Sequence, residues 1–339
     1  MSVVFSRLVG NGELKRRLSR DISERTLSHA YIIEGPRGSG KHTLAYSIAA
    51  ALACSSDATV PCGKCKNCEK ILSGKSTDVI TVGIEDEKVT MGIEAARRIK
   101  EDMPLAPNDL DVKVYVIEDT DVMTVQAQNA LLLSLEEPPE YVVFLLLCEN
   151  STSLLETIRS RAPALRLERL SDGEVERYLI ENSKRAVELR DEDEEVFKTV
   201  IHSADGCIGM ALELLGGKRR KALLEEREIA EKMISLLSNP NVADALEVVS
   251  ALGNKRNDVI RCLTAVEYAL RDLIILKKAE NAHLCFYHDK EAAQELSAHF
   301  TSIALMSLYD AINRAIEDLE ANLNVKLTVL NMMQNSGLI

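Results

Sequence analysis

The sequence has 339 residues, of which 46% are hydrophobic, and a formal net charge of −12. This length exceeds what one hydrophobic core usually holds, so we expect two or three domains. No apolar run reaches the ~18 residues of a membrane span, and charges interrupt residues 1–17, where a signal peptide would be apolar. These features predict a cytoplasmic protein without membrane contact. The negative charge argues against a chain that binds DNA alone over a wide surface, so any DNA contact should be local or shared; alternatively, the acidity only aids solubility.

Short β-branched segments alternate with helical patterns over residues 5–167. This alternation predicts an α/β domain in which crossover helices connect the strands of a parallel sheet. The first predicted strand leads directly into a glycine-rich loop. The predicted strands cover residues 31–33, 79–82, 114–117, 142–147 and 164–167.

The remainder of the chain has helical patterns. Ser171 and Glu174 have the spacing of a capping box, which predicts the start of a helix and of a small helical segment that ends near Leu215. Gly216-Gly217 then marks a second boundary. Beyond it, apolar residues at steps of three and four predict a helical bundle, one face of which could meet other subunits. The two apolar stripes are Val259, Leu263, Val266, Leu270 and Leu273, and Leu305, Leu308, Ile312, Ile316, Leu319 and Leu323.

The glycine-rich loop has the pattern of a phosphate-binding loop. Its glycines let backbone N–H groups surround phosphates, the following helix adds a favourable dipole, and Lys41 supplies a positive charge. The pattern requires Ser or Thr after the lysine to hold Mg²⁺, but His42 stands there and Thr43 follows. Because Mg²⁺ prefers oxygen ligands, we expect ATP binding but doubt hydrolysis; the alternative is a glycine-rich turn without a ligand. The loop is Gly35-Pro36-Arg37-Gly38-Ser39-Gly40-Lys41.

The predicted strand 114–117 ends in Glu118-Asp119. P-loop ATPases usually carry an Asp for the metal here and then a Glu that activates water. The two acids are transposed in this chain, which displaces both carboxylates, and a small misplacement can cost roughly 10²-fold in rate. Alternatively, both residues are solvated loop residues without a role in nucleotide chemistry.

Four cysteines, Cys54, Cys62, Cys65 and Cys68, follow the predicted helix after the loop. Their spacing predicts a closed structural zinc site with four thiolate ligands. A redox pair would not need four thiols, disulfides conflict with a cytoplasmic location, and an iron–sulfur site would require a downstream Cys-Pro. The scattered cysteines are interpreted as buried apolar residues; they are Cys148, Cys207, Cys262 and Cys285.

Together these segments resemble the bacterial clamp loader of DNA polymerase III. The resemblance covers most of the chain and is most specific where a Leu-Glu-Glu-Pro-Pro run occurs together with the cysteine module. The segments that carry it are Phe5, Val9-Gly10-Asn11, His29-Ala30-Tyr31, the glycine loop, the four cysteines, residues 129–139 and Ser160-Arg161.

The resemblance implies an AAA+ P-loop domain with a zinc module at residues 54–68, a helical lid domain and an all-α collar domain. Their predicted ranges are 1–167, 168–216 and 217–339. It further implies a hetero-pentamer with delta and gamma/tau subunits that uses ATP to open the sliding clamp and place it on primed DNA.

Departures from the family pattern favour a rigid delta-prime stator over an ATP-hydrolysing gamma/tau motor. Gly209 stands where motor subunits carry an arginine that senses the γ-phosphate, and residues 148–150 differ from the Thr-rich motor pattern. Arg161 is retained, although Ala162 replaces the usual cysteine, so the resemblance implies an arginine finger offered to a neighbouring subunit. A structural arginine paired with a carboxylate is the alternative for Arg161. A nucleotide kinase with a zinc-bearing lid is the more remote alternative for the chain.

Overall fold

A computed structural model of the chain describes residues 2–3, 5–56, 58–84, 90–238, 241–279 and 284–336. The chain forms two compact units. The first comprises Met1–Tyr178 with Gly206–Met210, and the second comprises Leu179–Asp205 with Ala211–Ile339. The division into three domains at residues 167 and 216 stays a prediction, and its last residues, 337–339, lie outside the described residues.

The first unit is built around a five-stranded parallel sheet with the strand order β4-β5-β6-β2-β7, and β1 and β3 form a separate parallel pair. Each of the five predicted strands is confirmed to within one residue at either end. The strands are β1 (Ser2–Val3), β2 (Ala30–Glu34), β3 (Thr59–Val60), β4 (Val79–Val82), β5 (Lys113–Ile117), β6 (Val142–Cys148) and β7 (Ala164–Arg166).

Both faces of the sheet are buried, because alternate residues of each strand point to opposite sides. In β2, for example, Tyr31 and Ile33 belong to one apolar cluster, whereas Ile32 belongs to the other. Helices cover the two faces, as parallel sheets require. They are α1 (Gly12–Ser23), α2 (Lys41–Leu52), α3 (Lys66–Leu72), α4 (Ile93–Asp102), α5 (Val125–Glu136) and α6 (Glu156–Arg159), with short 3₁₀ turns at Thr120–Val122 and Ser151–Ser153. Helix α7 (Asp172–Asn182) follows β7 in the chain.

The start of α7 confirms the predicted capping box. The backbone N–H of Ser171 donates to Glu174 Oε2 at 3.0 Å, and the N–H of Glu174 donates to Ser171 Oγ at 3.3 Å. All described residues after β7 are helical or connect helices, as predicted. These helices are α8 (Lys184–Glu192), α9 (Glu194–Ser203), α10 (Ile208–Leu214), α11 (Gly217–Ser238), α12 (Val242–Leu252), α13 (Arg256–Leu276), α14 (Lys290–Ala298), α15 (Ser302–Glu320) and α16 (Val325–Asn335).

The predicted apolar stripes form the core of the helical bundle. All five stripe residues of α13 are buried, and Leu305, Leu308 and Ile312 of α15 are buried against them. The stripe prediction is wrong at Leu323, which is 46% exposed, because α15 ends at Glu320 and the helical period no longer applies. Within the described residues, no helix combines the length and apolar character of a membrane span.

A buried carboxylate in α13 fixes the segment before α14. Asp272 is fully buried and accepts hydrogen bonds from the backbone N–H groups of Cys285, Phe286 and Tyr287 at 2.7 to 3.2 Å. Arg271 Nη1 contacts Cys285 Sγ at 2.6 Å. The interpretation of Cys285 as a buried apolar residue is therefore wrong, since it is half-buried with a polar contact, whereas Cys148, Cys207 and Cys262 are buried as predicted.

Candidate functional site

The glycine loop connects β2 to α2 at the carboxyl end of the sheet. Gly38 and Gly40 have φ of 78° and 101°, in the left-handed region that favours glycine. Lys41, the first residue of α2, donates from Nζ to the carbonyl oxygens of Gly35 at 2.6 Å and Pro36 at 3.1 Å. The ammonium group is thus folded back onto the loop, at the position from which a P-loop lysine approaches phosphates.

The other predicted loop residues differ in their surroundings. Arg37 is exposed at the tip of the loop. Ser39 Oγ is buried and has no hydrogen-bond partner among the residues that the structure describes. Thr43 is half-buried in the first turn of α2, where its carbonyl oxygen accepts a hydrogen bond from Ser47 Oγ at 2.6 Å. Thr43 is therefore part of the helix.

His42 pairs with the first acid after β5. His42 Nε2 lies 2.6 Å from Glu118 Oε1, and because a carboxylate only accepts, Nε2 carries the proton. Glu118 also lies close to Gly83, where an added Cβ would be 3.0 Å from Glu118 Oε2. The imidazole therefore stands at the sequence position of the P-loop hydroxyl and pairs with the first carboxylate after β5.

Asp119 does not share this contact. It has a left-handed backbone with φ of 45° and precedes the 3₁₀ turn Thr120–Val122, and its side chain makes no capping hydrogen bond there. The structure therefore brings Glu118, but not Asp119, into contact with the helix that follows the glycine loop.

Gly209 lies directly against the tip of the glycine loop. Its backbone N–H donates to the carbonyl oxygen of Gly38 at 2.9 Å. A Cβ at Gly209 would lie 2.8 Å from Gly38 Cα, and a Cβ at Gly38 would lie 2.6 Å from the nitrogen of Met210. Neither position accepts a side chain without a backbone shift, which excludes an arginine at position 209 in this conformation. Sequence reasoning identified the missing arginine but not this packing.

The four predicted metal ligands converge. The Sγ atoms of Cys54, Cys62, Cys65 and Cys68 all lie within 4.8 Å of one another. A tetrahedral ion with Zn–S bonds of about 2.3 Å holds its sulfurs about 3.8 Å apart, so the group fits a metal ion after a small contraction. Cys54 lies two residues beyond the end of α2, Cys62 and Cys65 precede α3, and Cys68 is buried within α3.

Backbone N–H groups donate hydrogen bonds to three of the four sulfurs. The N–H of Cys62 donates to Cys54 Sγ at 3.3 Å, that of Cys65 to Cys62 Sγ at 3.3 Å, and that of Cys68 to Cys65 Sγ at 3.5 Å. Burial raises the pKa of Cys65, but the N–H groups of Cys68 and Ser55 outweigh it and lower this pKa to about 6. Burial raises the pKa of Cys68. The cluster can therefore hold a metal ion.

Arg161 follows α6 and contacts the end of α5. Its Nη2 lies 2.7 Å from Glu136 Oε1, and its Nη1 donates to the carbonyl oxygen of Thr157 at 2.9 Å. The arginine side chain is 36% exposed and the Glu136 side chain 44% exposed. Arg161 therefore pairs with a carboxylate, as the alternative of a structural arginine predicts. Because the pair lies at the surface, the guanidinium could also exchange Glu136 for another anionic partner.

The strand, glycine loop, helix and lysine at the carboxyl end of a parallel sheet define a P-loop nucleotide-binding fold. Residues 10–171 match the family model described as DNA polymerase III, delta subunit. The chain is 28% identical over 332 residues to the DNA polymerase III subunit tau of Bacillus subtilis, which covers 93% of this chain and 58% of that subunit. It is 32% identical over 211 residues to subunit tau of Escherichia coli, which covers 62% of this chain and 32% of that subunit.

The chain is therefore similar to clamp-loader subunits of DNA polymerase III: the family model matches just under half of it, and the tau relatives extend the similarity over more of its length. It spans just over half the length of the Bacillus subtilis relative and a third of the Escherichia coli relative. Among solved structures, a gamma subunit-related protein of Thermotoga maritima superposes with a TM-score of 0.47 and 18% identity, which covers 94% of this chain and 98% of that one.

Proposed function

We propose that this chain is a stator-like, delta-prime-type subunit of the clamp loader that serves DNA polymerase III. It assembles with delta and gamma/tau subunits in a hetero-pentamer and helps to place the sliding clamp on primed DNA. The similarity to DNA polymerase III subunits supports this role over the nucleotide-kinase alternative. The helical bundle offers apolar surface for assembly, with Leu327 and Leu330 of α16 69% and 45% exposed.

The contact between His42 and Glu118 carries the assignment of a non-hydrolysing subunit. His42 offers no hydroxyl at the position from which a P-loop would hold Mg²⁺, and its 2.6 Å contact engages the Glu118 carboxylate. The Gly38–Gly209 contact further excludes a sensor arginine. We therefore expect the loop to bind ATP weakly, with or without Mg²⁺, and to hydrolyse it negligibly.

An ATP-hydrolysing motor is the second candidate, because the curated relatives are named tau and gamma subunits. The intact loop glycines and Lys41 are compatible with that role. The two candidates differ in turnover by the purified chain. A stator gives no ATP hydrolysis above background, whereas a motor gives a turnover near 1 per second or faster that Lys41→Ala abolishes.

We assign a structural zinc ion to the four cysteines. With four thiolates and no open coordination position, the ion would connect the end of α2 to α3 and stabilise the fold without taking part in chemistry. Asn67 Nδ2, which donates to the carbonyl oxygen of Ala53 at 2.8 Å, makes the same connection between these segments.

Arg161 is the residue through which this subunit would assist hydrolysis elsewhere. In the assembly it would leave Glu136 and approach the nucleotide of the adjacent subunit, where a guanidinium stabilises charge on the transferred phosphoryl group. The exposed ion pair with Glu136 is weak enough to be exchanged for a phosphate contact.

A further inference from the structure

A groove in the first unit concentrates arginine side chains in a chain that is acidic overall. It has a volume of about 540 Å³ and lies between α1 and the edge strand β7. Its charged lining residues are Glu13, Arg16, Arg17, Arg20, Arg166 and Glu168. Four guanidinium groups face two carboxylates, so the groove is positive whereas the chain has a formal net charge of −12.

The helical wall of the groove carries two free cations. Arg16 and Arg20 are exposed on α1, and their guanidinium groups have no hydrogen bond or ion pair with any residue that the structure describes. They are one helical turn apart, about 6 Å along the axis. Arg17 lies beside them with only a distant partner, Asp21, at 3.9 Å. Fixed positive charges without partners attract anions.

The opposite wall is supplied by β7. Arg166 is 74% exposed, and its Nε lies 3.1 Å from Glu34 Oε2, which orients the guanidinium and leaves most of it accessible. The strand pairs with β2 through Pro163 and Leu167, so the backbone groups of residues 164 and 166 point away from β2, toward the groove.

The two walls are held together by a buried residue. Asn11 is 5% exposed, and its Oδ1 accepts a hydrogen bond from the backbone N–H of Glu168 at 2.8 Å. Because Asn11 directly precedes α1 and Glu168 follows β7, this bond fixes the helix against the strand. The backbone segments that carry the arginines are therefore held in place before a ligand arrives, which lowers the entropic cost of binding.

From this arrangement we infer that the groove binds the phosphate backbone of nucleic acid. The planar guanidinium fork matches phosphate oxygens in two parallel hydrogen bonds, and successive arginines along one helix face can follow successive phosphates. An acidic peptide fits less well, because β7 has only three residues and offers a short edge for strand pairing. The inference extends the proposed function, since it names a local DNA contact, but it is testable on the isolated chain.

The test is fluorescence anisotropy of a labelled 30-nucleotide single strand, and of the matching duplex, with the full-length chain at low salt. The double variant Arg16→Glu/Arg20→Glu should bind DNA at least tenfold more weakly. Its affinity should also fall less steeply with salt: the slope of the logarithm of the binding constant against the logarithm of the salt concentration should shrink by about 0.7 to 0.9 per lost phosphate contact. The matched control is Lys184→Glu/Arg185→Glu, which makes the same charge change on exposed residues of α8. This control should stay within twofold of the parent.

Four results would overturn the inference. Equal weakening in both double variants would show that only net charge matters, and parental binding by Arg16→Glu/Arg20→Glu would remove the groove from any DNA contact. Inorganic tripolyphosphate that displaces the DNA at an equal phosphate concentration would identify a small phosphate as the ligand. A poly-glutamate peptide that displaces the DNA when its carboxylate concentration equals the phosphate concentration of the DNA would identify an acidic protein as the ligand. Because no other subunit is present, failure here leaves the clamp-loader role untouched, and failure of that role leaves this binding result standing.

Discussion

The two ends of α2 carry two sites that have kept their chemistry to different extents. At its N-terminal end the glycine loop has the geometry of a phosphate site, but His42 and Glu118 bind each other at 2.6 Å. Beyond its C-terminal end four thiols converge within 4.8 Å, and every expected ligand is present. A backbone cradle can therefore persist after the side chains that perform chemistry have been replaced, whereas a closed metal site depends on each of its ligands.

The largest effect is expected from the metal site. Cys65→Ser should reduce zinc from one ion per chain to none and destabilise the first unit by several kcal/mol, because metal binding free energy contributes directly to folding. Metal analysis and thermal unfolding with and without chelator measure both quantities. Cys285→Ser, which changes a half-buried thiol outside the cluster, is the control and should keep its zinc. Unchanged zinc content in Cys65→Ser would refute the assignment.

Next in size is the effect of Arg161 on neighbouring subunits. Arg161→Ala should lower the clamp-stimulated ATPase rate of a reconstituted complex by about tenfold or more, less than the 10³ to 10⁵ of a sole arginine finger. Stability should change by at most about 1 kcal/mol, because the lost ion pair is exposed. Glu136→Gln serves as control, since it breaks the same pair but leaves the guanidinium free. Equal losses in the two variants would indicate a structural role for the pair.

Restoring the missing hydroxyl should sharpen the contrast between the two ends of α2. His42→Thr supplies the oxygen ligand for Mg²⁺ and releases Glu118, so Mg²⁺-dependent binding of an ATP analogue should tighten about tenfold. Hydrolysis should stay negligible, because Glu118 and Asp119 remain transposed. Titration of a fluorescent analogue with and without Mg²⁺ measures the effect, and the same variant carrying Lys41→Ala is the control. Affinity that does not depend on Mg²⁺ would show that the imidazole is not what blocks the metal.

The smallest effect concerns the packing of the loop tip. Gly209→Ala should destabilise the first unit by about 1 to 3 kcal/mol, because its Cβ would lie 2.8 Å from Gly38 Cα. Gly173→Ala is the matched control: this glycine lies in α7 with open space around its Cβ position, so alanine should be neutral or stabilising by up to about 1 kcal/mol. Thermal or denaturant unfolding measures the change in stability. A Gly209→Ala variant as stable as the parent would show that the backbone at the loop tip shifts at little cost.

Local patterns in the sequence predicted the sheet strands, the capping box of α7, the apolar face of α13 and the cysteine cluster. These features depend on residues that lie close together in the chain, so periodicity and spacing reveal them. The contacts that decide chemistry are different. His42 and Glu118 are 76 residues apart, and Asn11 and Glu168 are 157 residues apart.

Such pairs depend on the strand order of the sheet, which composition and periodicity do not specify. Gly209 illustrates the limit. The family resemblance indicated a missing arginine, but only the fold shows that the backbone of Gly38 already occupies the space of any side chain there. The same applies to the groove, in which Arg166 joins arginines of α1 that are remote in sequence.

The hydrogen bonds to the Asp272 carboxylate make it possible to measure the opening of the helical bundle in the second unit by hydrogen exchange. The amides of Cys285, Phe286 and Tyr287 lie outside any helix, where hydrogen exchange with solvent is ordinarily fast. Because they donate to a fully buried acceptor on α13, they can exchange only when that helix separates from its neighbours. In a deuterium-exchange time course these three amides should therefore lose their protons as slowly as the core of the bundle.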